Sequence, residues 1–269
     1  MIPKDYITEW RASAPWVADW QVEQDLVISR TLVELFSRPV IAEALVFRGG
    51  TALYKLHLQP ARYSEDIDLV QTTAGAIGPV MDEIHATLDE WLGKPQWKQT
   101  AGRVTLAYRF ESEDAPPVRL KLKLEINTRE HFSALGVINH PFKVDSRWFS
   151  GAVDIPTYQL DELLGTKLRA LYQRKKGRDL FDLGLALRTG RVSPARIVEV
   201  FDRYMQEEGA HVTRALFEQN LVAKRVDPAF SADIGPLVAT DEAWDFDVEF
   251  QRVWNELVPL LPGEPWKGE

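Results

Sequence analysis

Two short stretches decide the fold of this chain, FRGGTAL at residues 47–53 and RYSEDIDLV at residues 62–70. The first pattern predicts a glycine turn that runs into a short helix. The second predicts a loop that enters a strand carrying Asp66 and Asp68. Because side chains at positions i and i+2 of a strand share a face, these two carboxylates point the same way. Neighbouring carboxylates repel each other unless a cation lies between them, and Mg²⁺ prefers oxygen ligands of this kind.

The glycine turn at Gly49 and Gly50 supplies a second kind of functional group. Backbone N–H groups at such a turn are free to bind phosphate. A phosphate cradle beside metal-binding acids is typical of phosphoryl and nucleotidyl transfer. Two acids separated by one residue are by themselves a common solvent-exposed pattern, but the nearby turn favours a catalytic site here.

A third acid, Glu125, lies on a predicted strand that reads RLKLKLEIN at residues 119–127. Strict alternation directs its leucines into a core and Lys121, Lys123 and Glu125 to the opposite face. If this strand lies beside the one with Asp66, Glu125 completes an oxygen cage for two metal ions. The alternative is an ordinary solvent-exposed face that alternates lysine and glutamate.

Lys167 is the most informative residue outside these strands. On the helix predicted over residues 158–176 it falls on an apolar stripe with Leu160, Leu164 and Leu171. Burial of an ammonium group is costly unless an anion is close. A triphosphate or an active-site carboxylate would be such an anion. The alternative is that the lysine stem extends along the stripe to place its charge in water.

The remaining hydrophobic pattern predicts strands and helices up to about residue 150 and helices after residue 157. Predicted helices cover residues 15–37 (ended by Pro39), 51–58 and 79–92, and predicted strands cover 45–47, 103–110 and 118–127. Residues 141–156 are expected to be irregular, with one short strand near Trp148. Later helices are predicted over 158–176, 179–188, 212–223 and 242–258, with a further one capped by Ser193 and Pro194.

Bulk composition narrows the class of protein. The chain has 269 residues and no cysteine, which excludes disulfides and thiolate metal sites. No apolar run approaches the roughly 20 residues that span a bilayer, and we expect a cytoplasmic protein with no membrane partner. A net charge of −8 argues against indiscriminate nucleic-acid binding, which needs a broad basic field, but not against a local basic cleft for RNA.

The motifs Gly49-Gly50-Thr51, Ser64-x-Asp66-x-Asp68 and Lys123-x-Glu125 resemble those of the DNA polymerase β type of nucleotidyltransferase. The fuller spelling FRGGTALYK followed by RYSEDIDL resembles the AbiEii/AbiGii toxins of type IV toxin–antitoxin and abortive-infection systems. The resemblance covers about residues 45–185. It implies an α+β fold, with a nucleotidyltransferase-type mixed β-sheet, flanking helices and an N-terminal helix in residues 1–155. A helical domain over residues 156–269 is then expected to complete the active-site cleft.

The resemblance also assigns roles to residues. Asp66, Asp68, Glu125 and Lys167 are the expected catalytic residues, and the three acids are the expected ligands of two Mg²⁺ ions. The expected nucleotide-binding residues are Arg48, Gly49, Gly50, Thr51, Ser64, Lys123, Arg174, Lys176, Arg178, Asp179 and Asp182. Several have simpler alternatives: Ser64 holds the turn, Asp179 is a helix N-cap, and the cations at 174–178 form a solvated helix end.

The expected reaction is Mg²⁺-dependent transfer of a nucleoside monophosphate from an NTP to an RNA 3′ end, such as a tRNA acceptor stem. Residues 174–178 would then form a basic lip for the RNA. The resemblance also implies toxin activity and a separately encoded antitoxin. Two alternatives stay open: a protein hydroxyl as the acceptor, or a nucleotide- or partner-binding module without turnover.

Overall fold

The computed structural model describes residues 2–239 and 242–268, which form two compact units. The sheet unit comprises Met1–Phe132, Val137–Tyr158 and Ala239–Asp241. The helical unit comprises Ser133–Gly136, Gln159–Val238 and Glu242–Glu269. None of the described helices combines the length and apolar character that a bilayer crossing requires.

The sheet unit contains one mixed seven-stranded sheet with helices. Its helices are α1 (Lys4–Trp10), α2 (Asp19–Phe36), α3 (Pro39–Ala44), α4 (Gly49–Ala52) and α5 (Gly78–Leu92). Its strands are β1 (Leu45–Arg48), β2 (Asp66–Gln71), β3 (Gln96–Thr100), β4 (Arg103–Glu111), β5 (Arg119–Asn127), β6 (Val137–Asp145) and β7 (Ser150–Tyr158). The spatial order is β3-β4-β5-β2-β1-β7-β6. This architecture confirms the predicted α+β fold.

Strand directions in the centre of the sheet determine where polar side chains emerge. Strand β2 runs parallel to β5 and antiparallel to β1, whereas β4 runs antiparallel to both β5 and β3. The alternation predicted for β5 is confirmed, because its three leucines and Ile126 are buried while Lys121 stays exposed. The face that carries Lys121, Asp66 and Asp68 is called the open face below.

Helix α2 anchors the segment that follows the glycine turn. Its buried Asp25 accepts hydrogen bonds from the indole N–H groups of Trp10 (2.8 Å) and Trp16 (3.1 Å). Lys55 lies in the π-helical turn Leu53–His57 that continues α4, and its Nζ lies 2.6 Å from the Asp25 carboxylate. Three donors therefore balance one buried charge, and the contact of Lys55 holds this turn against α2.

The predicted irregular region over residues 141–156 is wrong. It forms the hairpin of β6 and β7, two nine-residue strands paired from Val137–Tyr158 to Asp145–Ser150. Strand β6 is the edge of the sheet, is mostly exposed and contains Pro141, which an edge strand tolerates. An exposed edge needs no apolar alternation, so the sequence pattern carried no signal. The same reason explains why the other edge strand, β3, was not predicted.

Pro39 does more than end the preceding helix. Helix α2 ends at Phe36, and Pro39 occupies the first turn of α3 instead of only terminating a helix. A proline is tolerated there because the first-turn N–H groups have no partner within the helix.

The helical unit has a helix at each of the five predicted places and a further short α-helix, Pro228–Ala232, that the sequence pattern did not predict. They are α6 (Leu160–Gln173), α7 (Gly177–Arg188), α8 (Pro194–Glu207), α9 (Arg214–Arg225), α10 (Pro228–Ala232) and α11 (Phe246–Glu256). The predicted cap of α8 is confirmed, because the Ser193 hydroxyl accepts the Arg196 N–H and Pro194 occupies the first turn. Fully buried Glu162 on α6 accepts hydrogen bonds from the Tyr204 hydroxyl and from residues 133–135.

Glu23 on α2 is a buried acid in the sheet unit with an incomplete set of partners. Its side chain is 1% exposed, and one oxygen accepts the backbone N–H of Glu113 at 2.9 Å. The other oxygen has no hydrogen-bond partner among the described residues. Burial, aided by the charge of Asp114, raises the pKa of Glu23 from 4.5 to about 7. Folding therefore favours the protonated acid.

This burial predicts a pH-dependent stability that the substitution Glu23→Gln removes. Between pH 4.5 and about 7 the folded state binds more protons than the unfolded state, so wild-type stability falls as pH rises through this window. The variant should lack this component and exceed wild type by about 1–2 kcal/mol at pH 8, after allowance for solvent screening. Urea unfolding at pH 5 and pH 8 measures both values. Equal pH slopes in the two proteins would contradict the prediction.

Candidate functional site

The parallel pairing of β2 with β5 brings the predicted acids together on the open face. Asp68 lies opposite Glu125, and Asp66 lies opposite Lys123. On the other side of β2, Arg48 lies opposite Asp68. Opposed residues on neighbouring strands share a face, and the strands are about 4.8 Å apart. These five predicted residues therefore form one compact polar group.

Lys123 joins two of the acids. Its Nζ lies 2.7 Å from Glu125 Oε1 and 3.5 Å from Asp66 Oδ2. Partial burial by itself lowers the pKa of Lys123, but the hydrogen bond to Glu125 and the attraction of Asp66 outweigh it and raise the pKa above its usual value. The ammonium is therefore charged and partly neutralises the acidic group.

Arg48 lies on β1 in the row that also contains Asp68 and Glu125. Its Nη1 lies 2.6 Å from Glu130 Oε2. Burial opposes the charge of the guanidinium, yet Glu130, with smaller contributions from Tyr158 and Asp68, raises the pKa of Arg48. The cation predicted to contact nucleotide phosphate therefore forms an ion pair within the sheet unit.

The glycine turn lies directly against Asp68. Gly49 has φ +86°, and a Cβ at this position would lie 2.1 Å from Asp68 Oδ2. At Gly50 a Cβ would lie 2.6 Å from Arg62 Nη2 and 3.0 Å from Ser64 Oγ. Only glycine allows the backbone to approach the carboxylate and the guanidinium this closely.

Thr51 and Ser64 connect the turn to the start of β2. The Thr51 hydroxyl donates to the carbonyl oxygen of Asp66 at 2.5 Å and lies 2.9 Å from Ser64 Oγ. Ser64 therefore makes the contact expected if its role is to hold the turn. Thr51, Arg62 and Ser64 also line a cavity of about 330 Å³ in the sheet unit.

Four more predicted residues meet inside the helical unit. Lys167 is 7% exposed, and its Nζ lies 2.8 Å from Asp182 Oδ2 and 3.6 Å from Asp179 Oδ1. Arg174 donates two hydrogen bonds to Asp179, at 2.7 and 2.8 Å. Both acids are fully buried. The anions beside Lys167 in this structure are thus two aspartates of α7.

The alternative of Asp179 as a helix N-cap is wrong. Helix α7 begins at Gly177, so Asp179 lies within its first turn and Lys176 occupies the cap position. The helix start needs glycine at residue 177, because a Cβ there would lie 2.2 Å from the carbonyl oxygen of Phe230.

Two exposed cations and one half-buried cation near this turn each have an acidic neighbour. Lys175 lies 3.4 Å from Asp227, and Lys176 lies 3.3 Å from Asp233. Arg178 lies 4.0 Å from the same Asp233. The charge of the predicted basic lip is therefore largely compensated by acids of its own unit.

Sequence reasoning missed one cation of this region. Lys224 on α9 is 3% exposed and donates to the carbonyl groups of Leu171 and Tyr172 at the end of α6. Burial lowers its pKa to about 8 despite the attraction of Asp179. Its position on a largely polar helix gave no signal, because only the tertiary contact with α6 buries it.

The residues of the open face are chemically suited to a divalent ion. Asp66 and Asp68 present carboxylate oxygens on one face, which is the donor type that Mg²⁺ prefers. Mg²⁺ is commonly held by one or two carboxylates together with substrate phosphates and water. Among the described residues, no group of three or more acids or histidines is placed to hold a metal, and Glu125 contacts Lys123. The two-ion site with Glu125 stays a prediction.

Comparison with known proteins identifies the family. The family described as "Nucleotidyl transferase AbiEii toxin, Type IV TA system" matches residues 30–252. The chain belongs to the AbiEii family. It is thus a nucleotidyltransferase toxin of a type IV toxin–antitoxin system, and membership implies an NTP substrate, a divalent metal and an antitoxin partner.

Solved structures agree with this fold. The nucleotidyltransferase toxin MenT4 from Mycobacterium tuberculosis has a TM-score of 0.66 and 20% identity, over 97% of this chain and 90% of that one. JHP933 from Helicobacter pylori has a TM-score of 0.54 and 14% identity, over 90% and 92% of the two chains. None of the curated proteins matches the AbiEii chain.

The approach of Gly49 to Asp68 predicts that Gly49→Ala damages both stability and activity. The positive φ alone costs about 1–3 kcal/mol, and the new methyl group must also displace the Asp68 carboxylate. Gly136→Ala is a matched control, because Gly136 has the same φ of +86° with no atom near its Cβ. Both variants should lose stability in urea, but only Gly49→Ala should lose NTP turnover. Equal turnover in the two variants would disprove the role of the close contact.

The buried cluster around Lys167 predicts a large structural effect. Lys167→Met leaves the carboxylates of Asp179 and Asp182 without their ammonium partner and should cost about 3–5 kcal/mol of stability. Lys175→Met removes an exposed ion pair and should cost less than about 1 kcal/mol. Chemical denaturation compares the two variants. A Lys167→Met protein as stable as Lys175→Met would show that the buried pairs contribute nothing.

Proposed function

We propose that this AbiEii protein transfers a nucleoside monophosphate from an NTP to the 3′ hydroxyl of an RNA, such as a tRNA acceptor stem, in the cytoplasm. One observation carries the proposal: the register of β2 and β5 puts Asp66 and Asp68 on one face with Glu125 opposite Asp68, and the glycine turn approaches Asp68 at Gly49. Acids that bind a divalent ion next to a glycine backbone that can approach phosphate are the groups this reaction needs.

In this reaction the 3′ oxygen forms a bond to the α-phosphorus, the bond from that phosphorus to the oxygen bridging to the β-phosphate breaks, and pyrophosphate leaves. Asp66 and Asp68 would hold Mg²⁺, which when bound neutralises charge on the triphosphate and favours ionisation of the hydroxyl. Glu125 would hold the attacking hydroxyl and accept its proton. The backbone of Gly49, Gly50 and Thr51 would bind phosphate oxygens.

Basic residues would complete the nucleotide site. Lys123 would bind phosphate, because its ammonium is charged and lies among the acids. In the helical unit, Lys176 and Arg178 reach solvent, and their nucleotide-binding role stays a prediction. The cluster of Lys167, Arg174, Asp179 and Asp182 would position these residues, because its charges largely neutralise one another.

An RNA acceptor fits the open face better than a protein acceptor. None of the large apolar side chains found exposed in the described part of the chain lies on the open face of β2, β4 or β5. Protein recognition usually depends on buried apolar or aromatic anchors, whereas RNA binding depends on charged and polar contacts.

Labelling with each α-³²P-NTP in the presence of total RNA and of lysate protein tests the proposal. Label should enter RNA, disappear on chelation and return with Mg²⁺. Asp66→Asn and Asp68→Asn should each reduce labelling by about 100-fold or more, since several kcal/mol of charge stabilisation are lost. Their stability should change by less than about 1 kcal/mol, because both side chains border solvent.

Asp154→Asn on β7 is the matched control, because it makes the same chemical change at an exposed position of the same sheet. It should keep wild-type labelling. Label found in protein would support the protein-hydroxyl alternative, and absence of label from both fractions would support a binding module without turnover. Full activity in either active-site variant would refute the metal assignment.

A further inference from the structure

The open face continues from the acids onto a patch of basic side chains. Lys98 of β3 lies opposite Thr105, which lies opposite Glu125, so the lysine and the acid occupy one row. Arg103 lies two residues before Thr105 on β4 and therefore on the same face. Arg109 lies four residues after Thr105, also on this face, and is opposite Lys121 of β5. We define the basic face as Lys98, Arg103, Arg109 and Lys121, all of which are exposed.

Little negative charge compensates this face. No carboxylate among the described residues lies within 4.0 Å of Lys98, Arg109 or Lys121, and Arg103 approaches Glu125 only at 3.8 Å. The cations at 174–178, in contrast, each have an acid partner. In a chain with a net charge of −8, such a patch attracts anions from solution.

Arg109 and Lys121 form a like-charge pair on neighbouring strands. Like charges placed directly opposite each other on neighbouring strands destabilise a sheet. One row further, Arg119 faces Glu111, an opposite-charge pair of the ordinary stabilising kind. A bound anion would relieve the repulsion between Arg109 and Lys121. Anion binding therefore accounts for a pair that would otherwise only destabilise the sheet.

The patch lies within reach of the reacting groups. Lys121 is four residues from Glu125 on the same strand, or about 13 Å at the usual rise. Lys98 is two strands away from Glu125 in the same row, or about 10 Å. An extended polyanion that begins at the acids can therefore contact both ends of the basic face.

We propose that the basic face binds the phosphodiester backbone of the acceptor RNA and guides its 3′ end to Asp66 and Asp68. This inference rests on the proposed RNA nucleotidyl transfer. The contacts are to phosphates and carry no base specificity, so the face supplies affinity and direction while the nucleotide site selects the NTP. The compensated cations at 174–178 contribute little to RNA affinity.

The test measures RNA affinity against salt, separately from catalysis. Wild type, Arg109→Gln/Lys121→Gln and the control Lys4→Gln/Lys143→Gln are titrated with a fluorescent tRNA at several salt concentrations. Both double variants lose two positive charges from the sheet unit, but Lys4 is on α1 and Lys143 is on edge strand β6. The test variant should bind about 10- to 30-fold more weakly at 0.1 M salt and show a salt slope shallower by about 1.4.

The control variant should retain the wild-type slope. Urea unfolding of the test variant should give equal or higher stability, because the substitutions remove like-charge repulsion. If that variant does not fold, Lys98→Gln/Lys121→Gln replaces it with the same expected slope change. An unchanged slope in the folded test variant, or equal losses in test and control, would overturn the proposal. So would a loss confined to a Lys175→Gln/Lys176→Gln variant.

The outcomes separate this inference from the proposed function. If wild type labels RNA but the test variant binds RNA normally, only the basic face is refuted. If wild type neither binds nor labels RNA, the RNA acceptor itself is refuted and the basic face with it. NTP affinity of the test variant, measured without RNA, should equal that of wild type, and a parallel loss would assign the face to the nucleotide instead.

Discussion

The site depends on one structural constraint, the parallel pairing of β2 with β5 in a single register. This pairing alone places Asp68 beside Glu125 and Asp66 beside Lys123. Because side chains alternate between faces, a slip of one residue would bury the acids and expose Ile67 and Leu69. Burial of the apolar residues on both strands therefore stabilises the same register that assembles the polar group. Stability and chemistry are coupled through the sheet core.

A second constraint is the packing of the glycine turn against β2. The left-handed Gly49 brings the turn against Asp68, and the contact of Thr51 with the Asp66 carbonyl connects the turn to the start of β2. The π-helical turn that follows is held by the contact of Lys55 with buried Asp25. The turn and the acids are thus held by different interactions but meet at Asp68, so a change at Gly49 disturbs both.

The charges of the two units differ in how they are balanced. In the helical unit, Lys167 and Arg174 pair with Asp179 and Asp182 in a buried cluster, which is costly to break from one side. On the open face of the sheet unit, Arg109 and Lys121 face each other, and no described carboxylate lies within 4.0 Å of either. A balanced buried cluster suits a structural or positioning role, whereas an unbalanced exposed patch suits a mobile polyanionic partner. The net charge of −8 for the whole chain does not reveal this local difference.

The sequence by itself determined the elements whose residues alternate or repeat around a buried core. The strand with Leu120, Leu122 and Leu124 was predictable because burial of one face demands the pattern, and the acids of β2 were recognisable beside a glycine turn. The edge strands β3 and β6 were not predictable, because an exposed edge imposes no apolar pattern. Only the tertiary structure decided the partners of Lys167, the direct contact of Gly49 with Asp68 and the placement of Arg109 opposite Lys121. These depend on residues distant in the chain, and their distances are set by packing rather than by any local preference.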